Sequence, residues 1–193
     1  MSPRLLVSAI TTAAVLVLSL ANAVEADDSG SVSITLSSEA VGISITGGAI
    51  DFGGPFAPGA TLMAHPSGLA QASPPSVVNS GNLPITFLSV AYDGPVGQEA
   101  SCDGGTASWA AHASSAAQDR FAMRAVASTS GSTSVFSGSG VAITPGTGSA
   151  DVLSTTLEVD ASIPLLLQLF MPDPSVAGGD GCSIALTVTA AVE

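Results

Sequence analysis

Cys102 and Cys182 are the two cysteines of the chain, and a glycine-flanked carboxylate stands beside each. Asp103-Gly104-Gly105 follows the first, and Gly179-Asp180-Gly181 leads into the second. A nucleophilic cysteine needs a base or a cation to hold it as thiolate, and neither has a histidine or arginine near it in sequence. Oxidation to a Cys102–Cys182 disulfide is the expected chemistry instead. In the chain-entropy model, closing a loop between those positions restricts the unfolded chain by about 4 to 5 kcal/mol. The bridge would also bring Asp103 and Asp180 to one corner, with Glu99 and Asp173 on the same loops. Calcium prefers oxygen ligands of this kind, so the corner is a candidate calcium site and calcium the one cofactor suggested. The competing reading is that Asp and Gly form turns beside a bridge, since no EF-hand or calcium-repeat pattern is present.

Other chemistries lack their parts. Ser-His-Asp catalysis needs a base within reach of a nucleophile. His65 sits in a proline-flanked stretch, His112 in an Ala/Ser stretch, and no Gly-x-Ser-x-Gly elbow presents a serine. No His-x-x-x-His or Cys-x-x-Cys pair offers zinc its spacing. No enzymatic activity is expected. Trp109 is the one tryptophan and the candidate platform for stacking a sugar, against the plainer reading of a buried anchor. Arg120 and Arg124 share one face if the segment is a strand, opposite Phe121 and Met123, and are expected to pair with surface carboxylates.

Charge narrows the partners. Fifteen Asp and Glu stand against three Arg, with no lysine, for a net charge of -12. Such a surface repels nucleic acid phosphates and anionic lipid headgroups alike. The expected partners are copies of the same chain or other cell-surface proteins.

The elements that must position these residues follow from patterning. Residues 1–23 read as a cleavable secretory signal: Arg4, an apolar run from Leu5 to Leu20, then Ala21-Asn22-Ala23 as a small-x-small cleavage site. An uncleaved anchor is the alternative. Secretion or display at the cell surface follows, with no membrane insertion after cleavage. Residues 24–30 form a flexible leader, and 31–193 form one domain.

In that domain Val32, Ile34 and Leu36 alternate with serines and a threonine, the signature of a half-buried strand. Val41, Ile43 and Ile45 repeat the pattern, and strands are further expected at 49–52 and 77–78; Pro58 to Pro75 reads mostly as loop, with an edge strand at 61–64 as the alternative. Asn79-Ser80-Gly81-Asn82 reads as a tight hairpin turn into a strand at 85–92. Later strands are expected at 121–126, 134–136, 141–143, 152–159, 164–170 and 183–192. Ala107 to Gln118 is the one stretch with helical propensity. Eight to ten short strands separated by long Gly, Ser and Pro-rich loops predict an all-β, jelly-roll-like sandwich.

Three stretches carry a resemblance. They are Ile50-Asp51-Phe52-Gly53 with Ala57-Pro58-Gly59, the run Val77-Val78-Asn79-Ser80-Gly81-Asn82-Leu83-Pro84-Ile85, and Leu165 to Pro172 with Gly178-Gly179 and Ser183 to Val192. Together they resemble the immunoglobulin-like β-sandwich modules of exported bacterial and archaeal surface proteins. That resemblance implies a fold and no catalytic signature. The signal followed by an alternating strand is also similar to camelysin-type matrix-fibre proteins and archaeal pilus subunits. In those fibres an N-terminal strand completes a neighbour's sheet. The resemblance implies that strand 31–38 is donated, with Val32, Ile34 and Leu36 filling the neighbour's pockets; the alternative is pairing within its own sheet. The expected function is a non-enzymatic surface or matrix structural protein, a fibre or pilus subunit in the sharp form. A secreted module binding calcium or a glycan near Cys102 and Cys182 is the competing expectation.

Overall fold

The computed structural model describes residues 31–38, 42–54, 56–67, 70–102, 108–113, 115–173 and 181–192. The signal and leader, 1–30, lie outside the described residues. The fold is all-β. Its strands are β1 (Ser31–Ser38), β2 (Ile43–Thr46), β3 (Ala49–Asp51), β4 (Thr61–Ala64), β5 (Ser76–Asn79), β6 (Phe87–Tyr92), β7 (Ala100–Cys102), β8 (Ser108–Ala111), β9 (Arg120–Ala127), β10 (Val141–Ala142), β11 (Ser162–Phe170) and β12 (Gly181–Ala191). One short helix, α1 (Val135–Gly138), lies between β9 and β10.

Hydrogen bonds link the strands in the order β2-β5-β11-β9-β8-β7-β12-β1-β3, with β4 beside β11, β6 beside β12 and β10 beside β9. The β1–β12 and β8–β9 pairs are parallel, and the others antiparallel. The two end strands of this path, β2 and β3, are consecutive in sequence and joined by Gly47-Gly48. The sheet therefore curls until its ends meet at that turn. Gly47 takes φ 70°, open to glycine without a Cβ penalty, and Gly48 accepts a hydrogen bond from the Leu36 N–H at 2.8 Å.

Alternation decides what faces inward. Ile184, Leu186 and Val188 of β12, Phe121 and Met123 of β9, and Leu165, Leu167 and Leu169 of β11 all join one core. β9 and β11 are buried on both faces because Val126 and Leu166, pointing the other way, are covered by Phe136 of α1, with Met63 and Val135 packed alongside. Val135 and Phe136 thus form a helical lid where the pattern suggested a strand at 134–136.

Three further expectations change. The Ala-rich stretch holds β8 rather than helix, because pairing to β7 and β9 and burial of Trp109 outweigh a weak local propensity. With β7, that raises the count to twelve strands among the described residues. The Asn79 turn is no hairpin: β5 pairs with β2 and β11, while β6 pairs with β12. Asn79 is 1% exposed, and its amide redirects the chain. Nδ2 donates to the carbonyls of Leu83 and Leu157 at 2.9 and 3.0 Å, and Oδ1 accepts the Gly81 N–H at 3.0 Å. Finally, 152–159 is not a strand but part of a segment closing the edge of β6. Asp151 Oδ1 accepts the Leu88 N–H, and Ser149 Oγ accepts the Val90 N–H. An edge capped in this way has no free donors there for a foreign strand.

Candidate functional site

β1 fills a slot between β12 and β3. Along β12 it runs parallel from Ser31 opposite Gly181 to Ser38 opposite Val188. Along β3 it runs antiparallel, with Ser33 opposite Asp51 and Thr35 opposite Ala49. Val32, Ile34 and Leu36, the residues singled out by alternation, are 2%, 0% and 7% exposed. Full burial of such side chains contributes about 1.5–3 kcal/mol each. Among the described residues β3 has no other strand partner, so β1 holds one end of the sheet to the rest.

The disulfide stands at the mouth of this slot. Cys102 and Cys182 are opposite each other in the β7–β12 pairing and are bridged, with their Cα atoms 3.9 Å apart. On its other side Cys182 pairs with Val32 of β1. The bridge therefore pins β12, one wall of the slot, to β7.

The proposed calcium ligands fare unequally. Asp103 and Asp180 lie outside the described residues. Glu99 is buried, and both its oxygens accept backbone hydrogen bonds, from the Gly97 N–H at 2.8 Å and the Ala111 N–H at 2.9 Å. It staples the β6–β7 connection to the end of β8. Asp173 is exposed at the end of β11, where its own N–H donates to the Ala117 carbonyl. No group of three or more His, Cys, Asp or Glu side chains that could hold a metal ion occurs among the described residues. Trp109, the sugar-platform candidate, is 6% exposed and belongs to the core. Its ring has no open face to offer a sugar.

Sequence reasoning missed Tyr92. Its ring meets Phe121 edge-on, with centroids 5.5 Å apart. Its hydroxyl is buried with no hydrogen-bond partner among the described residues, and the Met123 backbone offsets part of the effect of that burial. Burial first, and the Glu99 charge second, push the phenol far above its ordinary value. The signal available was its place at the end of an alternating run as the chain's one tyrosine.

A consequence follows for alkaline stability. The neutral phenol fits the fold, so its contribution is complete below about pH 10, where the unfolded tyrosine is still protonated. Above that the unfolded chain ionises first and stability falls, by up to about 1.4 kcal/mol per pH unit. With no lysine in the chain, few other groups titrate there. Urea unfolding at pH 9 and pH 11 should show the loss, and Tyr92→Phe should abolish it.

Arg124 and His65 have structural roles. Arg124 donates from Nη1 to the Phe136 carbonyl at 3.3 Å and lies 5.8 Å from the Phe170 ring centroid, steadying the lid. Arg120 is exposed. His65, 2% exposed, accepts the Ser67 N–H at Nδ1 and packs against Phe136. No protein-family model matches this chain, and no curated protein matches it in sequence.

Proposed function

We propose that this chain is an exported, non-enzymatic structural protein of the cell surface or extracellular matrix, which associates with copies of itself by exchanging β1. The seat of β1 carries the reading. It is the first strand among the described residues, its apolar face completes the core, and four residues separate it from β2. Such a strand can leave its own slot and make the same ladder in another copy's sheet, so the contacts are conserved and concentration decides between the two. The secretory reading of residues 1–23 and the disulfide fit an oxidising compartment outside the cytosol. A surface rich in carboxylates keeps the unassembled chain soluble.

The test compares the purified protein with a chain lacking residues 24–38, by light scattering after size exclusion and by negative-stain microscopy across concentration. The expected result is concentration-dependent association of the parent and none of the truncated chain. A synthetic peptide of residues 31–38 should bind the truncated chain and raise its melting temperature. Equal association of the two chains would sink the reading.

A further inference from the structure

Ser38 ends β1 and Ile43 begins β2, so their Cα atoms stand at most about 18 Å apart wherever β1 is seated. Both ends of that link lie at one end of the molecule. Ser38 is opposite Val188 near the close of β12, and Ile43 is opposite Asn79. The same end gathers the segments around Asn79. The Gly42 carbonyl accepts the Ser80 and Gly81 N–H groups at 2.7 and 2.9 Å, the Asp160 N–H donates to the Asn79 carbonyl, and the Thr86 N–H donates to the Ala191 carbonyl. Leu83, Val159 and Val192 belong to these segments and are 56%, 38% and 51% exposed. They are three of the four exposed large hydrophobic side chains among the described residues, the other being Val96 on the β6–β7 connection.

We infer that exchange of β1 closes reciprocally into a two-fold dimer, in which the Leu83, Val159 and Val192 surfaces of two copies face each other. The inference rests on the reading of β1 as an exchanged strand. A donated β1 in native register places its Ser38 at the acceptor's Val188, and within about 18 Å the donor chain must re-enter its own body at Ile43. The donor's apolar end therefore abuts the acceptor's. The acceptor's own β1 leaves from that same end under the same limit. A domain of about 160 residues has a radius of gyration near 15 Å and is about 40 Å across. A third body has no room within so short a reach, so the copy already there receives the strand. The contact is then isologous, each apolar surface meeting its own copy. An open fibre needs its incoming and outgoing neighbours at opposite ends. The positions of Ser38 and Ile43 at one end work against that arrangement. Exposed apolar side chains at the end that holds Ser38 and Ile43 are what such a contact buries.

Thr35 and Ala49 are exposed Cα partners across β1 and β3, so a bridge between them reports whose β1 fills the slot. The Thr35→Cys/Ala49→Cys double variant of the purified protein, oxidised at high concentration, should run on a non-reducing gel as a covalent dimer and nothing larger. A ladder of higher species would overturn closure while leaving exchange standing. Bridged monomer alone would overturn exchange itself, and with it this inference. The apolar contact has its own readout: Leu83→Asp should raise the dimer dissociation constant at least tenfold while leaving the monomer's melting temperature unchanged. An unchanged dissociation constant would remove that surface from the interface.

Discussion

A chain with both Cys102 and Cys182 replaced by alanine should melt roughly 10–18 °C below the parent in thermal unfolding followed by circular dichroism. The bridge closes a loop of 80 residues, which in the chain-entropy model restricts the unfolded ensemble by about 4.5 kcal/mol. For a domain of this size each kcal/mol moves the midpoint by about 2–4 °C. Both side chains are buried, so alanine removes the link without placing a polar group in the core. Dithiothreitol added to the parent should reproduce most of the shift. A change under 3 °C in both experiments would mean that the bridge does not constrain the unfolded chain.

Phe121→Ala should cost about 3–5 kcal/mol, read as a lower urea midpoint at unchanged slope. Phe121 is 0% exposed on β9, which pairs with β8, β10 and β11. Those pairings hold the surrounding backbone in place and leave only side chains to relax, so much of the cavity contribution is retained. The same substitution removes the edge-on partner of the Tyr92 ring and admits water toward its hydroxyl. The phenol should then ionise nearer its ordinary value, measurable by absorbance because the chain has one tyrosine. A loss below 1 kcal/mol would show that the core around β9 repacks freely.

Legibility in the sequence followed the reach of each interaction. Strands with an alternating apolar face, β1, β9 and β12, were readable because period two is a local property, and β11 was readable as a short continuous apolar run. So was the pairing of the two cysteines. What the sequence could not supply was partnership across distance. Nothing around Asn79-Ser80-Gly81-Asn82 shows that the Asn79 amide is held by Leu157, far along the chain, and a hairpin was the natural local reading. Nor does the Ala-rich run before Arg120 show that β8 is stabilised from outside, by a parallel pairing to β9 and by Glu99 on the Ala111 N–H. At the candidate site Val32, Ile34 and Leu36 were legible as a buried face, while the identity of β12 as their parallel neighbour was not. Glu99 was noticed as a carboxylate, but its oxygens serve two backbone donors rather than a vacant ligand position.

The placement of the arginines bears on resistance to proteolysis. The chain has no lysine and three arginines, Arg4 lying outside the described residues. Arg120 and Arg124 both belong to β9, whose backbone pairs with β8, β10 and β11. A trypsin-like protease must draw its substrate out as an extended single strand, and here that means removing β9 from the middle of the sheet. Digestion of the described fold by such enzymes is therefore governed by unfolding of the whole domain rather than by fraying of a loop.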